Sequence, residues 1–318
     1  MEINKILAEE FKLRQEQVVN TVALIDDGKT IPFIARYRKE LTGSLDDQIL
    51  RELSDRLTYL RNLEIRKSEV SSSIAEQGKL TEEISSALDK AETLVEVEDI
   101  YRPFKPKRKT RASIAREKGL EVLADLIGRQ DDKLDLHNES QKFINVENGL
   151  ETEEEVIQGA SDIIAENVSD DAELRKSIRK LYEKAAKIES RASDENAETV
   201  YQNYYEFCEP VSKIADHRIL ALDRGEKEGA LKVSVSIDEE FCFSIAERKY
   251  VINNTDSGNI VKAAVQDSCK RLIMPSVERE IRAELTARAA EGAIKVFSSN
   301  LRQLLLQPVS YTHLTLPT

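Results

Sequence analysis

Ser44-Leu-Asp46-Asp47-Gln-Ile49-Leu-Arg51-Glu-Leu53-Ser-Asp-Arg56-Leu57-Thr-Tyr-Leu60-Arg61 sets the class of this fold. Ser44 with Asp46 and Asp47 opens a helix, because short polar side chains cap free amides and acids favour the positive end of the helix dipole. Ile49, Leu53, Leu57 and Leu60 then recur at helical spacing on one stripe, while Arg51, Arg56, Arg61 and Arg66 fall elsewhere. One side of such a helix is buried and the other stays charged.

The same grammar repeats on both sides. Val18, Val22 and Ile25 form a stripe that Gly28 closes as a left-handed cap. Thr30 starts a short segment, Ile31-Pro-Phe-Ile-Ala-Arg36-Tyr-Arg38-Lys39, in which Pro suits a first helical turn and which Gly43 breaks. Thr81, Glu82 and Glu83 open a helix with Leu80, Ile84 and Leu88 four apart. Leu120, Leu123 and Ile127 predict a helix ended near Gly128, Glu151 to Tyr182 is helical throughout, and Asp131 to Gly149 is polar and loop-rich. Ile260 to Leu306 is helical, interrupted at Pro275 with Ser276 as N-cap. Leu231 to Ile237 alternates apolar and polar and predicts a strand; Phe241 to Ile245 either pairs back as a hairpin or turns helical.

The expected class is therefore mainly α, a multi-helix N-terminal region with helix-turn-helix-like pairs and one small β element near 231–245. Ser190 to Ala197 is the weakest stretch for structure. It divides the chain into an N-terminal helical domain at 1–190 and a second, mostly helical segment with the β element at 191–307. The uncharged run from Pro308 to Thr318 is expected to be a non-native or disordered tail.

A length of 318 residues suits two domains, and 11 Gly with 7 Pro are too few turn signals for an all-β chain. No run approaches the roughly 18 apolar residues of a membrane span, and Met1 to Lys5 lacks the layout of a secretion signal. Cys208, Cys242 and Cys269 are odd in number and widely spaced, which fits reduced thiols in a cytoplasmic protein. His137, His217 and His313 are scattered, and no HExxH, GxSxG, Walker or GxGxxG motif occurs. No enzyme, cofactor or metal is expected. Gly225 and Gly229 either free amides for a phosphate or form the turn into the Leu231 strand, the commoner use of glycine.

Charge supplies the sharper signal. The chain carries 59 acidic against 47 basic residues, net −12, yet the run from Arg102 to Lys118 holds a single acid, Glu117. Like charges repel, and nucleic-acid phosphates offset the cost because each cation releases condensed counterions. A solvated loop, or a patch meeting an acidic protein face, would show the same run. Candidate phosphate contacts are Lys105, Lys107, Arg108, Lys109 and Arg111, with Arg36, Arg38 and Lys39 as a second patch. Such side chains position a backbone and do not read bases.

Thr30 to Asp47, Glu98 to Leu120, His217 to Gly229 and Pro275 to Arg282 resemble, in order, signatures of the Tex family of bacterial transcription accessory proteins. Asn300 to Pro308 is similar to that family's helix before its RNase H-like domain. The resemblance implies a truncated protein, lacking the RNase H-like, helix-hairpin-helix and S1 domains, the S1 domain being the family's principal RNA binder. It implies kinship with a eukaryotic elongation factor that handles chromatin, and it supplies no catalytic residue. The expected function is an N-terminal helical scaffold of an RNA-binding transcription accessory factor. Its partners would be nucleic acid, RNA before DNA, and the transcription machinery, with no membrane. The alternative is a protein-interaction module docking on RNA polymerase, the ribosome or the missing domains. A helix-turn-helix DNA-binding regulator is weaker, since Ile31 to Glu40 is short and Pro32 with its apolar neighbours leaves few base-reading side chains.

Overall fold

The computed structural model describes residues 2–105, 109–132, 134–146, 149–194 and 199–307. The chain divides into two units, Met1–Pro106 and Lys107–Thr318. Among its described residues the first has helices and no strand: α1 (Ile3–Phe11), α2 (Gln15–Asp26), α3 (Ile31–Tyr37), α4 (Lys39–Thr42), α5 (Asp47–Glu76), α6 (Glu82–Lys90) and α7 (Leu94–Tyr101). Asp46, one of the expected start residues, caps α5 by accepting from the Ile49 amide at 2.8 Å. Thr81 and Thr93 cap α6 and α7 in the same way. α5 is the spine. Leu53, Leu57 and Leu60 pack with Leu7, Val18 and Val22, while Leu63, Val70 and Ile74 pack with Leu88 and Val97. Its polar side is neutralised: Arg51 meets Asp47 at 2.8 Å, Arg56 meets Glu10 at 2.6 Å, Arg61 meets Asp26 at 2.7 Å and Arg66 meets Glu98 at 2.6 Å. Hydrogen bonding from Arg56 holds the Glu10 carboxyl below its ordinary value, and Arg61 does the same to Asp26.

The second unit holds α8 (Arg111–Glu117), α9 (Glu121–Arg129), α10 (Leu136–Gln141), α11 (Glu153–Ser169), α12 (Ala172–Ala185), β1 (Lys187–Ala192), β2 (Glu206–Pro210), α13 (Asp216–Lys227), β3 (Leu231–Ser236), α14 (Glu239–Tyr250), α15 (Asp256–Asp267) and α16 (Met274–Leu305). A π-helical stretch, Ser268–Ile273, joins α15 to α16. The strands form one antiparallel sheet in the order β2-β1-β3, with Ile188 opposite both Glu209 and Val235. One continuous apolar core runs from Ala112 to Ala289.

The class is as expected, mainly α with a small sheet, and β3 coincides with the expected strand. Several details differ. The partner of β3 is β1, whose residues include the expected boundary at 190–191, and Phe241 to Ile245 is helical within α14. Residues 151–182 are not one helix: α11 ends at Ser169, and Asp171 starts α12 by accepting from the Glu173 and Leu174 amides. α9 passes Gly128 and ends with Gln130 in the left-handed conformation. Pro275 does not end the helical run: it lies in the first turn of α16, directly after the π stretch. Ser276 is no cap; it is buried between Arg175 and Glu280. Gly229 serves the turn before β3, whereas Gly225 sits inside α13, where a Cβ would meet Leu231 Cδ1 at 2.6 Å. The expected tail at 308–318 lies outside the described residues.

Candidate nucleic-acid interface

The basic island begins in the first unit. A 3-10 turn, Arg102–Phe104, follows α7, and Lys105 lies 3.4 Å from Glu98, the carboxylate that also holds Arg66. In the second unit Lys109 lies 3.8 Å from Glu117, both well exposed. Thr110 caps α8, its hydroxyl accepting from the Ser113 amide at 3.0 Å while its own amide donates to the Ser113 hydroxyl oxygen at 2.8 Å. Arg111, first residue of that helix, lines a groove of about 610 Å³ with Lys118, Gly149, Glu155 and Asp162. Burial pushes the Asp162 carboxyl up, against the charges of Arg271 and Arg111.

Arg116 and Lys118 of the island are engaged within the second unit. Arg116 donates to Glu166 at 2.5 Å and to Asn167 at 2.8 Å, and Lys118 donates to the Gly149 carbonyl at 2.9 Å. Lys107 and Arg108 lie outside the described residues. Each described candidate of the island thus has a carboxylate of its own unit close by. Asp162 is far from Arg111 in sequence and reaches it only through the fold, whereas Glu98 is seven residues before Lys105.

The second patch differs. Arg36 lies in the last turn of α3, Arg38 separates α3 from α4, and Lys39 opens α4. Arg36 and Lys39 are exposed, and among the described residues no carboxylate forms an ion pair with any of the three. Arg38 is oriented by its neighbours: its guanidinium donates to the Tyr37 carbonyl at 3.0 Å and lies 5.4 Å from the centroid of the Phe33 ring.

The backbone beneath is fixed from α2. Gln17 donates to the Thr42 carbonyl at 3.0 Å and Asn20 to the Leu41 carbonyl at 3.1 Å. Gly43 turns the chain with φ +68, and a Cβ there would fall 2.1 Å from the Gln17 amide nitrogen. Residue types alone singled out these cations but not the aromatic pair beside them. Phe33 and Tyr37, four apart on α3, have ring centroids 5.3 Å apart, and Tyr37 is 61% exposed. Two aromatics at helical spacing inside a basic run were the available signal.

Elsewhere the chemistry is sparse. Among the described residues no group of three or more His, Cys, Asp or Glu is placed to hold a metal ion, and no helix is long and apolar enough to cross a membrane. Cys242 and Cys269 are buried free thiols that burial pushes up to about 11 and about 12, while Cys208 is exposed.

Comparison with known proteins follows the two ends of this arrangement. Residues 1–75 match the Tex-like protein N-terminal domain and residues 131–297 match the Tex central region-like family. Relatives include the uncharacterized protein YdcI of Bacillus subtilis, 46% identical over 308 residues, covering 95% of this chain and 43% of that protein. The transcriptional accessory protein Tex of Neisseria gonorrhoeae is 37% identical over 317 residues, covering 96% of this chain and 41% of its own length. The human S1 RNA-binding domain-containing protein 1 is 31% identical over 318 residues, covering 95% and 32%. The chain spans less than half the length of these curated relatives. With both regions matched in order and relatives aligned along nearly all of it, this chain belongs to the Tex family.

Proposed function

We propose that this chain is the helical scaffold of a nucleic-acid-associated transcription accessory factor, contacting phosphates through local cations and carrying no bond-making chemistry of its own. Relatives named as a transcriptional accessory protein and as an S1 RNA-binding domain-containing protein support the setting. The observation that carries the reading is the Arg36, Arg38 and Lys39 patch. The arginines of α5 each have a carboxylate partner, whereas these three cations have no ion pair among the described residues. Lys105, Lys107, Arg108, Lys109 and Arg111 add a second contact, weakened where Glu98, Glu117 and Asp162 stand by. RNA is the preferred ligand of the whole protein, and the cytoplasm is its compartment.

Fluorescence anisotropy of the 318-residue chain with labelled single-stranded RNA and duplex DNA across a salt series tests this. Binding should be micromolar at low salt, with a log–log salt slope of magnitude about 2 to 5, at roughly 0.7–0.9 per phosphate neutralised. Absence of binding at low salt, or binding indifferent to salt, contradicts the proposal.

A protein-interaction module is favoured by a different observation. The end of α16 exposes Ile294, Phe297, Leu301, Leu304 and Leu305, an apolar stripe at helical spacing. In that reading the cations meet acidic protein surfaces, such as RNA polymerase, the ribosome or other domains of the same protein.

A further inference from the structure

We infer that Tyr37, backed by Phe33, is a stacking platform for an unpaired nucleobase, with Arg36, Arg38 and Lys39 holding the flanking phosphates. This rests on the nucleic-acid reading above and adds a ligand class to it: single strands, RNA or DNA, in preference to duplex.

Three features of α3 converge on this. The first is exposure: Tyr37 is 61% exposed on a helix otherwise anchored by fully buried Ile34. The second is rigidity. Phe33 lies 5.3 Å behind Tyr37, Arg38 lies 5.4 Å from the Phe33 centroid, and the Arg38 guanidinium is tied to the Tyr37 carbonyl at 3.0 Å. An aromatic side chain held in this way loses little further entropy when a base lands on it. The third is charge. From Lys29 to Thr42 the one acid is Glu40, and no ion pair engages Arg36, Arg38 or Lys39 among the described residues.

An exposed aromatic face bounded by unneutralised cations is the combination that binds single strands: every base offers a π-face, and the backbone phosphates lie alongside. A duplex keeps those faces in its own stack and can use only the cations. With seven residues, α3 spans about 10 Å at 1.5 Å per residue, room for one or two nucleotides. Of the exposed aromatics on helices of the second unit, Phe241 on α14 has Glu239 and Glu240 beside it, which repel phosphate, and Phe297 lies within the apolar stripe of α16.

The chain contains no tryptophan, so Tyr37→Trp makes a single reporter at the platform. The 318-residue variant is titrated with oligo-U, oligo-dT and a duplex of equal length, following Trp emission and anisotropy together. Both single strands should quench Trp emission in step with binding, the duplex should bind without quenching, and any difference between oligo-U and oligo-dT separates RNA from DNA as source. Tyr37→Ala, whose fold is checked by circular dichroism, should weaken single-strand binding on the order of tenfold and leave duplex binding unchanged. Tyr37→Phe should bind as the original chain does. Single-strand binding that persists without quenching, and that Tyr37→Ala leaves intact, overturns the stacking platform while sparing the phosphate reading. No binding of any oligonucleotide by the unsubstituted chain overturns both.

Discussion

Glu280 joins α12 to α16 at the level of single atoms. It accepts from Arg175 at 2.7 Å and from Arg179 at 2.8 Å, and Ser276 donates to it at 3.1 Å. The Arg175 side chain is fully buried. Burial pushes the Glu280 carboxyl up, but hydrogen bonding from Arg179 and the charges of Arg175 and Arg179 outweigh it and hold it below its ordinary value. Glu280→Ala leaves two guanidinium groups without that carboxylate and should cost about 3–5 kcal/mol in denaturant unfolding.

The pH dependence has a definite sign. A carboxyl depressed in the folded state contributes stability above its unfolded value near 4.5, and that contribution is lost as pH falls through the lower folded value. The stability gap between the original chain and Glu280→Gln should therefore be full at pH 6 and shrink below about pH 4.5. Glu284, pushed up by burial and by Glu183, works in the opposite direction, and the paired comparison cancels it. Gly43→Ala is the corresponding backbone test: the φ of +68 and the clash with Gln17 should cost about 1–3 kcal/mol.

At the scale of elements, the junction of α11 and α12 is set by Asp171. It caps α12 and also accepts from Lys249 and the Tyr250 hydroxyl, tying α14 to that helix start. Asp171→Ala removes the cap and both links together, and should lower stability by about 2–3 kcal/mol in urea unfolding. The helices of the first unit were legible because caps and stripes coincide in Asp46, Thr81 and the leucines of α5. β1 was not. Its well-buried residues are Ile188 and Ser190, and Ser190 is satisfied by donating to the Tyr204 carbonyl at 2.5 Å, so no apolar alternation marks the strand. The hairpin alternative after β3 failed because Asp238 accepts from the Glu240 amide and starts α14 there. Reading Ser276 as a cap failed for another reason: its partners, Arg175 and Glu280, include a residue brought near only by the tertiary fold.

Across the whole molecule, an acidic chain of net charge −12 is proposed to meet a polyanion through a few local cations. Residue types alone placed the candidate cations, but not the approach of Asp162 to Arg111, which comes through packing. The sequence run ranks the 105–111 island first, whereas in the proposed reading Arg36, Arg38 and Lys39 are the stronger contact. Paired charge reversal decides between them. Arg36→Glu with Lys39→Glu and, separately, Lys105→Glu with Lys109→Glu are compared by anisotropy with single-stranded RNA over a salt series. The account predicts that the first pair weakens binding by about tenfold or more and lowers the salt slope by roughly 1.4, two phosphates at 0.7 each, with a smaller effect from the second pair. Unchanged affinity and slope in the Arg36→Glu, Lys39→Glu chain would contradict it.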